Sequence, residues 1–229
     1  MIVGALQRFS LIEYPGKICA IIFTQGCNFR CPYCYNRDLV DEEYFRDPID
    51  VDTIFSFLEK RINKLDAVTV TGGEPTLQQD IIPFIERIKN MNYPVKIDSN
   101  GSCPEVLDSL LHLKLVDFIA MDVKGPLAKY PLICGTKINP EKIRRSIDLI
   151  MASGINYEFR TTLVRPLLTK DDLLEIGRLI PNAECYALQK FNPSETLDPQ
   201  FRTASVYTDH EIKLIAEEMQ PMVKEIILR

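Results

Sequence analysis

Six times in succession, a short apolar and β-branched run gives way to a polar turn and then to a stretch of helical character. The runs are Lys17 to Thr24, Ala67 to Thr71, Pro94 to Asp98, Val116 to Met121, Tyr157 to Val164 and Cys185 to Phe191. Continuous runs of this length read as strands buried on both faces. Strand-then-helix order repeated in this way requires a parallel sheet with right-handed crossovers. The intervening helices are expected at Asp50 to about Asn63, with Ile54, Phe57, Leu58 and Ile62 on the inner face, and at Asp80 to Met91. Others begin at Ser102, at the Asn139-Pro140 cap pair and at Lys170, and Thr208 with Glu211 caps a last one ending near Met219. Six units are two short of a closed eight-fold barrel, so the expected fold is α/β, a partial (β/α)6 barrel of the three-quarter TIM type.

The whole of 1–229 is expected to be a single domain. Its 46% hydrophobic content can fill one sizeable core. Residues 1–16 are expected to be a leader ending in the turn Tyr14-Pro15-Gly16. Residues 192–229 supply a Pro-containing loop, a helix and an edge strand that Val223 to Leu228 can add. A net charge of −5 argues against a nucleic-acid partner. No apolar run approaches the ~20 residues of a membrane span, and the N-terminus lacks the pattern of a signal peptide.

The seven cysteines are an odd number and three of them are clustered, which fits a metal in a reducing cytoplasm better than a disulfide framework. The cluster is Cys27-Asn28-Phe29-Arg30-Cys31-Pro32-Tyr33-Cys34, placed where the first strand ends. Such a loop can wrap an iron–sulfur cluster or zinc. Structural zinc wants a fourth ligand from a second Cys or His pair, and no second pair exists. Three ligands suggest instead a 4Fe–4S cubane with one iron left for a non-protein ligand. Cys19 reads as a core residue, Cys134 as an incidental thiol in an exposed loop, and Cys103 and Cys185 as isolated. His112 and His210 read as structural.

In barrel-like α/β folds, ligands gather at the C-terminal ends of the strands. The polar motifs fall there one after another. The Cys loop is followed by Gly72-Gly73-Glu74-Pro75, by Asp98-Ser99-Asn100-Gly101 and by Asp122-Val123-Lys124. Each has a plainer alternative: a strand-to-helix turn for the first, an Asn-Gly turn with capping residues for the second, a surface ion pair for the third. Gly72 and Gly73 clear space for backbone to approach a ligand, and Glu74 offers an acceptor to an ammonium. Asp122 and Lys124 alternate along a strand end and so share a side. Arg160, charged within an apolar strand, calls for a ligand or a partner charge.

The Cys-x-x-x-Cys-x-x-Cys spacing, with an aromatic before the last Cys, resembles the radical S-adenosylmethionine (SAM) superfamily. Three stretches, Gln7 to Lys17, Phe23 to Cys34 and Glu158 to Val164, further resemble the activating proteins of anaerobic ribonucleoside-triphosphate reductase, and the likeness runs over nearly the whole chain. The resemblance implies cluster ligation by Cys27, Cys31 and Cys34, with SAM chelating the open iron. It further implies that Gly72, Gly73 and Glu74 receive the SAM amino group and that the Tyr33 backbone lies against the adenine. Asp98, Ser99 and Asn100 would meet the ribose hydroxyls and methionine carboxylate, with Asp122, Lys124 and Arg160 also serving SAM. Reductive cleavage of SAM would yield a 5′-deoxyadenosyl radical that takes a hydrogen atom from a glycine of the reductase. The implied electron donor is a flavodoxin or ferredoxin. Tyr35 departs from the pattern, standing where relatives often carry His. An activase of pyruvate formate-lyase type, a small-molecule radical SAM enzyme and a non-catalytic zinc module are the competing expectations.

Overall fold

Pro15 presets the first position of a tight turn and Gly16, at φ +71°, takes the left-handed second one. Strand β1 (Val3–Tyr14) therefore folds back antiparallel on β2 (Lys17–Thr24), with Tyr14 opposite Lys17. The computed structural model describes residues 1–229. Where a leader was expected, residues 3–14 thus form a strand. Its alternation is obscured because it lies at the edge of the sheet and its register shifts after Val3, Gln7 and Ser10.

All six expected strands form: β2, β3 (Ala67–Gly72), β4 (Val95–Ser99), β5 (Phe118–Asp122), β6 (Asn156–Leu163) and β7 (Tyr186–Lys190). The C-terminal edge strand β8 (Ile226–Leu228) pairs parallel with β7. Together they make one eight-stranded α/β sheet in sequence order, β1 to β8, which is the order a partial barrel requires. The helices are α1 (Arg37–Val40), α2 (Val51–Glu59), α3 (Ile81–Asn90), α4 (Pro104–His112), α5 (Tyr130–Ile133), α6 (Pro140–Ala152), α7 (Lys170–Leu179) and α8 (Asp209–Met219).

The chain gathers into two compact units. One comprises Met1–Asn28, Asn36–Ser99 and Glu105–Ile119; the other comprises Phe29–Tyr35, Asn100–Pro104 and Ala120–Arg229. In the first, the parallel register of β2, β3 and β4 sorts side chains by face. Ala20, Val68 and Val95 stand in one row and Ile22, Val70 and Ile97 in the next, making an aliphatic face. The opposite face carries Thr69 beside Lys96 and continues to Asp98. Helices α2 and α3 bury Ile54, Phe55, Leu58, Phe84, Ile85 and Ile88, with the Phe55 and Phe84 rings 5.0 Å apart. Phe57 and Ile62 are not on the buried face, contrary to expectation. Phe57 is half-buried between the guanidinium groups of Arg8 and Arg61, and α2 ends before Ile62, which is exposed.

In the second unit, β6, β7 and β8 run parallel. The Asn139 side chain accepts from the Glu141 amide to start α6, and a Thr208–Glu211 capping box starts α8. A further box, Thr169 with Asp172, starts α7 and was not read from the sequence. Past β8, the Arg229 guanidinium donates two hydrogen bonds, of 2.9 and 2.8 Å, to the buried Glu158 carboxylate in β6. Glu158→Ala removes both charge-assisted bonds and should cost about 2 kcal/mol, read as a lower urea midpoint with an unchanged slope.

Candidate cofactor site at the strand ends

The segment carrying the three cysteines is shared between the units, with Cys27 in the first and Cys31 and Cys34 in the second. In the first unit, the ends of β2 and β3 lie backbone against backbone. The Gly73 amide donates to the Thr24 carbonyl (2.9 Å) and the Glu74 amide to the Gly26 carbonyl (2.8 Å). A Cβ at Gly73 would sit 2.1 Å from the Gly26 oxygen, and one at Gly72, whose φ is +121°, 2.4 Å from the Thr24 nitrogen. Only glycine fits either position. The space these glycines clear is thus filled by the backbone that leads directly into Cys27.

Glu74 is 1% exposed. Its Oε1 accepts from the Thr76 amide (3.1 Å), the Thr76 hydroxyl (2.5 Å) and the Ser99 hydroxyl (2.9 Å), so Gly-Gly-Glu and Ser99 are brought together. Asp98, on the polar face of β4, forms a buried ion pair with Lys96, itself 1% exposed. Lys96 is the residue that reading the motifs one at a time misses. Its signal is a lysine two places before an aspartate inside a fully buried strand, because that spacing puts both on one side.

In the second unit, Asn100 accepts from the Ser102 amide (2.9 Å) and Gly101 lies at φ +74°, so the Asn-Gly turn is realised. Asp122 sits between two cations, 2.8 Å from Lys124 Nζ and 2.9 Å from Arg160 Nε. The partner charge that Arg160 demanded is therefore Asp122. Burial pushes the Asp122 carboxyl up, but the charges of Arg160 and Lys124 and their hydrogen bonds together hold it below the usual carboxylate range. Burial likewise opposes the Lys124 ammonium, yet Asp122, with Tyr33 and Cys31, keeps its pKa well above the ordinary lysine value. The Tyr33 ring is buried edge-on against Phe191, 6.3 Å between centroids.

Cys31 is buried, and its thiol is pulled down to about 7. A hydrogen bond with the Cys134 thiol leads; burial opposes it, and the Lys124 charge adds to the lowering. Cys134, expected in an exposed loop, is fully buried. None of the seven cysteines is in a disulfide. No three His, Cys, Asp or Glu side chains converge on one point as a single ion needs; a cubane instead takes its thiolates at separate irons. Soft thiol donors, one of them lowered toward neutrality, fit an iron–sulfur cluster.

Residues 21–180 match the family described as the Radical SAM superfamily. The chain belongs to that superfamily. A relative from Methanocaldococcus jannaschii, provisionally named a glycyl-radical enzyme activating enzyme, is 32% identical over 100% of this chain and 95% of its own length. The pyruvate formate-lyase-activating enzyme of Listeria monocytogenes is 34% identical over 61% of this chain and 55% of its own. Among solved structures, SuiB of Streptococcus suis bound to S-adenosylmethionine has a TM-score of 0.68 at 14% identity, over 91% of this chain and 49% of that one. At that identity the likeness speaks for the fold, the α/β partial barrel. This radical SAM protein is an enzyme of radical chemistry whose cofactors are a 4Fe–4S cluster and SAM. The non-catalytic zinc module gives way to that assignment.

A carboxyl with a lower pKa folded than unfolded stabilises the fold above its unfolded value and loses that contribution as pH falls toward the folded one. Asp122→Asn should therefore lower the urea midpoint at pH 7. Its gap from wild type should narrow as pH drops below ~4, the unfolded-state value.

Proposed function

We propose that this enzyme activates a glycyl-radical enzyme, and that its partner is the anaerobic ribonucleoside-triphosphate reductase. The observation that carries the proposal is the clamp of Gly72-Gly73-Glu74 on residues 24–26, which sets an acceptor carboxylate beside the start of the cysteine loop. The activase reading is supported by the full-length likeness to the M. jannaschii relative. The stretches Gln7 to Lys17, Phe23 to Cys34 and Glu158 to Val164 favour the reductase as substrate.

Cys27, Cys31 and Cys34 would hold the cluster. Glu74, fixed by Thr76 and Ser99, would accept from the SAM ammonium beside Gly72 and Gly73. Asp98, Ser99 and Asn100 would meet the ribose hydroxyls and the methionine carboxylate. Lys124 and Arg160, bridged by Asp122, would present positive charge to that carboxylate, and the Tyr33 backbone would lie along the adenine. When bound, the two cofactors supply a one-electron cleavage that yields a hydrogen-abstracting radical. The protein's part is to orient SAM and keep water away. The electron comes from a flavodoxin or ferredoxin and the hydrogen from a glycine Cα. We place the chain in the cytoplasm as one catalytic domain without a nucleic-acid or membrane partner; no helix is long and apolar enough to cross a membrane.

Pyruvate formate-lyase is the second reading, favoured by the Listeria relative. Anaerobically reconstituted protein with a strong reductant should produce 5′-deoxyadenosine, and Cys31→Ala should abolish it. Mixed with each candidate partner, it should raise a glycyl radical signal in electron paramagnetic resonance on the reductase and none on pyruvate formate-lyase. The reverse pattern would replace the partner, a signal on neither would remove both named partners, and no 5′-deoxyadenosine from cluster-loaded protein would remove the activase reading.

A further inference from the structure

Strand β1 is the longest of the sheet and lies at its edge, and one stretch of it is uncovered. An isolated bridge from Ile49 covers the edge at Val3. Farther along, from Arg8 to Glu13, no strand covers it, and Ser10 alone has a partner in the register with β2. Two of the backbone groups here take side-chain partners instead. The Phe9 carbonyl accepts from Gln7 Nε2 (3.0 Å), and the Ile12 amide donates to Ser10 Oγ (3.3 Å). Three large apolar side chains stand in solvent: Phe9, Leu11 and Ile12 are 50%, 62% and 85% exposed. Sheets commonly protect such an edge with Pro, Lys or bulges. Residues 3–14 hold no Pro and no Lys, and the register shifts around Ser10 bend the edge without covering it.

We propose that this edge is a contact between two copies of the chain, paired antiparallel through residues 8–13. The run reads basic, then apolar, then acidic, from Arg8 to Glu13. Laid antiparallel on its own copy, it sets each Arg8 toward Glu13 of the other copy, so one two-fold axis satisfies both ends. The apolar side chains of the two copies then cover each other. Neither charge is used within the chain. Arg8 lies over the Phe57 ring, 5.9 Å from its centroid, and neither Arg8 nor Glu13 has an ion-pair partner. A foreign strand carrying charge of one sign would meet one of the two with a like charge; a second copy meets neither so. Ser10 stands opposite Cys19 near the start of β2, whereas the cysteine loop leaves from the end of that strand. Pairing at this edge therefore leaves the first unit's strand ends open.

The test is sedimentation equilibrium of the full chain, reconstituted anaerobically, across a wide range of concentration. Wild type should reach twice the mass of one chain as concentration rises, and Ile12→Lys should stay at the single-chain mass. Arg8→Glu and Glu13→Arg, each alone, set like charges against each other at both ends. Each should raise the dimer dissociation constant about tenfold, with unchanged circular dichroism. Mixed in equal amounts, these two variants are complementary, and their heterodimer should return to the wild-type dissociation constant, which misfolded chains could not do. A wild type that stays a single chain at every concentration overturns the proposal. So does a dimer indifferent to Ile12→Lys and to charge reversal, or charge-reversed chains that gain nothing on mixing. A single chain that uses this edge only to bind a glycyl-radical enzyme, losing it with Ile12→Lys, assigns the surface to that enzyme and overturns the proposal too.

Discussion

The contact on which the site depends is the apposition of the ends of β2 and β3. Two strands can be hydrogen-bonded along their length and still splay where the ladder stops. Here they do not, because Gly73 and Glu74 carry the hydrogen bonding past the strand end onto the carbonyls of Thr24 and Gly26. That continuation is possible only without side chains at residues 72 and 73. Glu74 is then buried with its donors already in place, and the backbone that departs toward Cys27 leaves from a fixed point. The second unit uses the same device. Gly135 lets the backbone after α5 lie on residue 30, so a glycine contact supports the cysteine segment there as well.

Charge is handled differently in the two units. Lys96 and Asp98 form a one-to-one pair inside β4. Asp122 is shared between Lys124 and Arg160 at the second unit's strand ends. Asp122 thereby keeps the two cations at fixed positions. The surface ion pair weighed from the sequence is thus a half-buried triad, because β6 returns Arg160 to the end of β5.

The fold was legible where burial is two-sided. Runs such as Lys17 to Thr24 and Tyr157 to Val164 are apolar whichever way a residue points, so no register has to be known to recognise them. Caps were legible at Asn139 and in the Thr-x-x-Glu box of Thr208 with Glu211, whereas the Thr169 box, closed by the shorter Asp172, was not. Several of the misses share a cause, dependence on a partner distant in sequence. Strand β1 is defined by its ladder to β2 rather than by its own pattern. Phe57 is half-buried with the guanidinium groups of Arg8 and Arg61 near its ring, while Phe55 packs against Phe84. Cys134 looks like a loop thiol until the docking on Arg30 buries it. Among the site residues, the motif positions were visible as motifs, while their pairings were not. That Ser99 meets Glu74 and Arg160 meets Asp122 follows from strand order, which no single motif contains.

The buried pair in β4 has a consequence for the stability of the sheet. Withdrawing a lysine and an aspartate from water costs more than their attraction commonly returns, and well-packed apolar replacements of both are often neutral or stabilising. The Lys96–Asp98 pair is therefore weak evidence for stability in itself. A version of the chain optimised only to stay folded would discard them together, and the sheet would lose nothing in its hydrogen-bonded ladder. What it would lose is the one polar strip on an otherwise aliphatic strand, next to Ser99 and the end of β4. The robustness of the protein and the chemistry of its interior thus pull this strand in opposite directions.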